Sequence, residues 1–144
     1  MKSTKKTHLF ETWKKLIASF FWLEPCAGGI CIRDRKWRTE ILCVTHKDGG
    51  IMLPKWRIKS WETTEQAALR EFMEETGIYN CTLGNKIGII RDRNRGKKIV
   101  FYSIHSSGQH TPIHDEAIMW IDLSSAIKNM KHWTEKTFLK KHFT

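Results

Sequence analysis

The chain has 144 residues, 40% of them hydrophobic, and a formal net charge of +10 with a pI of about 9.6. That length can bury a proper core as one domain, and no repeat, low-complexity tract or linker-like segment divides it. No run approaches the roughly 18 apolar residues that a membrane-spanning helix needs, and the excess of Lys+Arg over Asp+Glu, 25 against 15, favours anionic ligands.

Residues 1–24 form a basic addition ahead of the core. Leu9, Phe10, Trp13, Leu16, Ile17, Phe20 and Phe21 recur at helical spacing, with Lys5, Lys6, Lys14 and Lys15 beside them. This pattern predicts an amphipathic helix packed on the domain; a helix that meets a partner or a membrane surface is the alternative. The apolar run Leu16–Leu23 is eight residues long and is followed by Glu24, so a cleaved signal peptide is not expected.

Residues 25–144 carry the domain. Cys26–Arg33 and Glu40–His46 read as strands around a turn at Asp34–Arg38. Asp48-Gly49-Gly50 marks a turn, and Ile51–Leu53 a short strand. A helix is predicted from about Thr64 to Thr76: Thr63 and Gln66 have capping-box spacing, and Gly77 stands where a left-handed residue ends a helix. Lys86–Arg91 and Lys98–His105 flank the hairpin signal Asn94-Arg95-Gly96-Lys97. Met119–Leu123 is the last strand. Ser124 or Ser125 is expected to cap a helix running to about Met130, and another helix covers Thr134–His142. Strands, helix, strands and helices in that order predict an α+β fold.

Cys26, Cys31, Cys43 and Cys81 show no CxxC pair, and three of them sit in apolar strand-like runs. They read as small buried residues of a cytoplasmic, reducing environment. His105, His110 and His114 have no cysteine partner nearby and read as loop or surface groups, not as a zinc site.

The segment Arg70-Glu71-Phe72-Met73-Glu74-Glu75-Thr76-Gly77-Ile78 carries the chemistry. At about 100° per residue, Glu74 and Glu75 fall within roughly 60° of Glu71 on one side of the predicted helix. Ala68, Leu69, Phe72, Met73 and Thr76 fall on the other, so one face can bury while the other collects negative charge. Like charges at helical spacing repel, and a divalent cation held by oxygen ligands is the simplest compensation.

This arrangement resembles the Nudix hydrolase signature: Gly, five residues, Glu, seven residues, then Arg-Glu-apolar-any-Glu-Glu-any-Gly-apolar. Glu62, Arg70, Glu71, Phe72, Glu74, Glu75, Gly77 and Ile78 match in register. Leu53-Pro54-Lys55, Ala27-Gly28-Gly29 and Trp120-Ile121-Asp122-Leu123 are similar to weaker family landmarks. The resemblance implies an α/β/α sandwich, a mixed β-sheet between helices, and a pyrophosphohydrolase that uses Mg²⁺ or Mn²⁺. It implies Glu74 and Glu75 as metal ligands, Glu71 as ligand or general base, and Arg70 as the group that orients them with Glu62 as its ion-pair partner. A backbone carbonyl at Lys55 would help hold the metal. Glu116, with Asp115 behind it, would supply the further acidic group that many members bring from a loop near the last strands.

Two positions depart from the pattern. Trp56 stands where the family has its leading glycine, and Trp61 where a second glycine is common. Glycine permits φ > 0 and close backbone approach, so the loop Lys55–Trp61 is expected to be reshaped.

For substrate, the resemblance implies a nucleoside diphosphate linked to another group, with small dinucleoside-polyphosphate-cleaving members the best likeness. Inositol pyrophosphates and RNA 5′ ends are alternatives. Lys55, Arg57, Lys59, Arg91 and Arg93 are candidate grips for a polyphosphate, with Trp56 available to stack on a base. A different functional class also fits: a degenerate domain that binds nucleotide or RNA without hydrolysis because Trp56 blocks the loop.

Overall fold

The computed structural model describes residues 8–14, 22–106 and 118–144. The elements are α1 (8–14), β1 (Glu24–Arg35), β2 (Arg38–Thr45), β3 (Ile51–Met52), β4 (Lys55–Arg57), α2 (Thr64–Thr76), β5 (Cys81–Asp92), β6 (Lys97–Ser106), β7 (Ile118–Asp122), α3 (Leu123–Asn129) and α4 (Trp133–Phe143). Five strands run in the order β3-β2-β1-β6-β5; β4 adds to β1 and β7 to β2. β1 is parallel to β6 and antiparallel to β2 and β4, so the sheet is mixed. The fold is α+β, as the sequence predicts.

Alternation along the strands gives the sheet two buried faces. Cys26, Ile30, Ile41, Cys43, Ile99 and Phe101 face one core, completed by Ala126, Ile127, Phe138 and Leu139 from α3 and α4. Their neighbours Ala27, Val100 and Tyr102 face α2 through Ala67 and Ala68, and Cys31 and Leu42 meet Phe72 and Ile78. Period-two exchange between faces is what strands do, and here both faces find helices. Removing Phe72, which is fully buried, would cost about 3–5 kcal/mol on the usual scale for a core aromatic.

α2 forms with the predicted ends. Thr63 accepts from Gln66 N and the Gln66 side chain accepts from Thr63 N, closing a capping box, while Gly77 takes φ 70°. Gly28 is needed for close approach: a Cβ there would sit 2.5 Å from the Pro54 carbonyl oxygen and 2.8 Å from the Lys55 Cβ. Its absence lets β4 pair with β1 and places Lys55 beside α2.

Beyond shifts of one or two residues at the ends of elements such as β1, β2, β6 and α4, three features differ from the sequence reading. β5 begins at Cys81, not Lys86, because it keeps pairing with β6 through register shifts between Leu83 and Gly88. Lys55–Arg57, expected as loop, is a strand paired with Cys26–Gly28. The cap of α3 is Asp122, which accepts from Ser125 N, in place of Ser124 or Ser125. In α1 the apolar Leu9, Phe10 and Trp13 are all at least 60% exposed, so the expected packing of this helix does not extend to residues 8–14. Leu16, Ile17, Phe20 and Phe21 lie outside the described residues, as do Asp115 and Glu116.

Candidate active site

Arg70 is the hub of the site. Its Nε donates to Glu62 Oε2 at 2.8 Å and its Nη2 to Glu62 Oε1 at 2.5 Å, a bidentate pair. Nη1 donates to Glu71 Oε1 at 2.6 Å and to Glu74 Oε2 at 3.1 Å. Nη2 also reaches the Arg57 carbonyl at 3.2 Å, which ties β4 to the helix. Glu62 in turn accepts from Lys59 N at 2.8 Å. One guanidinium thus fastens the loop, the strand and the carboxylate face together.

The carboxylates differ in electrostatic state. The Arg70 guanidinium holds Glu62 well below the usual range, at about 2. Burial pushes Glu71 up despite Arg70, with Glu74 and Glu62 adding to the rise. Burial pushes Glu75 up to about 7, against the pull of Lys55. Two desolvated carboxylates on one helix face store unfavourable charge that a cation would relieve.

The donor set suits Mg²⁺ or Mn²⁺, since Glu71, Glu74 and Glu75 offer hard carboxylate oxygens from one side of α2. Among the described residues no three His, Cys, Asp or Glu side chains converge as a ready metal cage, and Arg70 engages both Glu71 and Glu74. The Glu74 side chain is 55% exposed, which leaves it room to change rotamer away from Arg70.

Beside these groups lies a cleft of about 270 Å³. Its floor includes Cys26, Leu53 and Ile99; its walls bring Lys55 and Trp56 from β4, Arg95 and Lys97 from the β5–β6 hairpin, and Lys131 and His132 from the α3–α4 link. Glu75 also lines it and is the sole acid among its described lining residues. Burial holds His132 below the ordinary imidazole range, favouring its neutral form. Such a cleft suits an anion with an apolar end.

The predicted residues distribute unevenly. Glu62, Arg70, Glu71 and Glu74 are in direct contact, and Glu75 accepts from Lys55 N at 3.2 Å. The Lys55 side chain is buried and ion-paired at 2.9 Å to Glu135, so it does not project as a free grip. Arg57 pairs with Glu24, and Lys59 lies over Trp61. Of the hairpin cations, Arg95 and Lys97 line the cleft where Arg91 and Arg93 were expected. Trp56 is half exposed in extended β4, opposite Ala27, with Lys97 over its ring at 4.5 Å and Arg57 at 5.5 Å. A strand needs no left-handed residue, which is why tryptophan is accommodated there.

Sequence reasoning missed Glu135, Lys131 and His132. Only the fold brings these C-terminal residues to β4 and the β2–β3 turn, 80 to 85 positions back, and no local spacing marks them.

The profile of the NUDIX domain matches residues 23–141, so the chain belongs to the Nudix family, a family of pyrophosphohydrolases. A Bacillus subtilis protein named as a candidate 8-oxo-dGTP diphosphatase is 39% identical over 72 residues, which is 49% of this chain and 48% of that protein. The chain thus spans about half the length of that curated relative. Among solved structures, C. elegans Ap4A hydrolase superposes with a TM-score of 0.71 at 21% identity, covering 83% of this chain and 95% of that one. The M. smegmatis Nudix hydrolase RenU gives 0.66 at 15% identity, covering 83% and 84%. At these identities the likeness is one of fold.

Proposed function

We propose that this protein is a divalent-cation-dependent hydrolase of a pyrophosphate bond in a nucleoside-diphosphate-linked substrate, with a dinucleoside polyphosphate the first choice. The observation that carries the reading is the double membership of Glu75, which belongs both to the carboxylate face of α2 and to the basic cleft. A phosphate chain lying in that cleft would meet the carboxylates at one end. The fold likeness to an Ap4A hydrolase supports the choice of substrate, and the Bacillus relative makes an oxidised nucleoside triphosphate the second choice.

Glu74 and Glu75 would hold the Mg²⁺ or Mn²⁺, with Glu71 as ligand or as the base that takes a proton from water and the Lys55 carbonyl nearby. The cation, when bound, offsets charge on the phosphate oxygens and lowers the pKa of bound water. Arg70 orients the carboxylates and is itself fixed by Glu62. Glu116 remains the candidate further acid, from the segment outside the described residues. Arg95, Lys97 and Lys131, which pair with Asp92, Glu24 and Asp48, would turn to hold the phosphate chain, and the apolar floor with Trp56 at its edge would receive a base.

The second reading is a domain that binds nucleotide or RNA without hydrolysis. The observation in its favour is Arg70's hold on both Glu71 and Glu74, which leaves no preformed cage. One experiment separates them. The protein is incubated with dinucleoside polyphosphates, nucleoside triphosphates, inositol pyrophosphates and 5′-triphosphorylated or capped RNA, with Mg²⁺ or Mn²⁺, and the products are identified. Metal-dependent cleavage of a nucleotide anhydride supports the first reading; binding without phosphate or nucleotide release supports the second.

A further inference from the structure

We infer that Glu135 on α4 is a positioning residue that keeps the Lys55 ammonium away from Glu75, so that the Glu75 carboxylate stays available to a divalent cation. This rests on the metal-dependent reading above and concerns a residue outside the signature.

Glu135 is fully buried. Its Oε1 accepts from Leu53 N at 3.2 Å and pairs with Lys55 Nζ at 2.9 Å. The same ammonium donates to the Leu53 carbonyl at 3.1 Å, so both ends of the lead-in to β4 are clasped by α4. Glu75 Oε2 meanwhile accepts from the backbone N of Lys55 at 3.2 Å. The backbone of Lys55 thus points its donor at Glu75, while its side chain is turned to Glu135.

A lysine ammonium is a compact point charge on a flexible stem. At 7% exposure it must find an anionic partner inside the protein. With the charge at position 135 removed, Glu75 becomes the neighbouring carboxylate to which that ammonium can turn. An ammonium on Glu75 competes directly with a cation for the same oxygens. Glu135 Oε2 is buried with no hydrogen-bond partner, so a carboxylate at this place is costly for stability alone.

The test is Mn²⁺ binding to the metal-free full-length protein, followed by electron paramagnetic resonance of the free ion, with far-UV circular dichroism as the fold control. Glu135→Gln keeps an oxygen for Leu53 N but removes the charge. It is expected to weaken Mn²⁺ binding by about tenfold or more, the usual scale for a group behind a ligand. The double variant Glu135→Gln/Lys55→Met, which removes the competing ammonium, is expected to return within about threefold of the wild type, since no competitor is left. Unchanged binding in the single variant overturns the inference. So does a double variant as weak as the single, because that pattern reports a structural role only. If Glu135→Gln does not fold, Glu135→Met and Glu135→Met/Lys55→Met carry the same comparison, since methionine also removes the charge at similar volume; weakening in the first and recovery in the second are expected. A wild-type protein that binds no Mn²⁺ fails the metal reading itself, a result distinct from equal binding by wild type and variant.

Discussion

The two charged sites that flank Glu75 are built in opposite ways. On one side Arg70, part-exposed, spreads one guanidinium over Glu62, Glu71 and Glu74. On the other, Lys55 and Glu135 form a single buried pair, with Glu135 wholly inside and Lys55 only 7% exposed. The first is a shared and adjustable clamp, whose most exposed member can leave at small cost. The second is a closed pair that pins β4 to α4. A site that must admit a cation and release a product needs one yielding wall and one firm wall, and Glu75 stands between them.

The comparison can be broken from either side, and activity shows the largest effect. Under the proposed function, Glu74→Gln and Glu75→Gln each lower turnover by orders of magnitude with circular dichroism unchanged. Equal turnover in both variants would remove them as ligands.

Stability responds next. Glu135→Ala removes the acceptor of Leu53 N and the partner of Lys55, leaves that ammonium Glu75 to turn to, and should cost about 3 kcal/mol in urea unfolding, the low end for breaking a buried pair. Trp56→Gly removes an exposed side chain from β4 and should leave unfolding within about 1 kcal/mol, the range of exposed strand substitutions. If it also raises turnover strongly, the tryptophan restrains the site.

The Arg70 side is sharpened by pH. Glu62 is depressed from the ordinary 4.5 to about 2 by its bond to Arg70. A carboxylate depressed on folding contributes stability that is fully present above its unfolded value and lost as pH falls through its folded one. The difference in melting temperature between wild type and Glu62→Gln should therefore be full at pH 6 and shrink between pH 4.5 and about 2. A difference constant across that window would mean the bond is not formed. The smallest expected effect is at the helix start, where Thr63→Ala should cost about 1 kcal/mol by loss of the capping box.

α2 was legible to the residue because its signals are local. A capping box, a helical period and a terminal glycine act within a turn or two, and the carboxylates follow from the same period. The pairing of Glu62 with Arg70 was legible through family spacing. β4 was not legible, because three residues carry no period and the strand exists only through Gly28's missing side chain and the edge of β1. The Lys55–Glu135 pair was invisible for a related reason. Nothing near Glu135 distinguishes it from the solvated acids of other helices, and its burial arises only when α4 packs on the sheet. Arg91 and Arg93 were chosen for charge density alone, whereas strand alternation and the hairpin turn decide which cations meet the cleft.

The most direct test of the central claim is single-turnover hydrolysis of diadenosine tetraphosphate by the metal-free protein, with Mn²⁺ or Mg²⁺ added back, alongside Glu75→Gln. The account predicts cleavage of the phosphate chain that starts only on metal addition and is nearly abolished in the variant. Cleavage without metal, or equal rates in the two proteins, would contradict it.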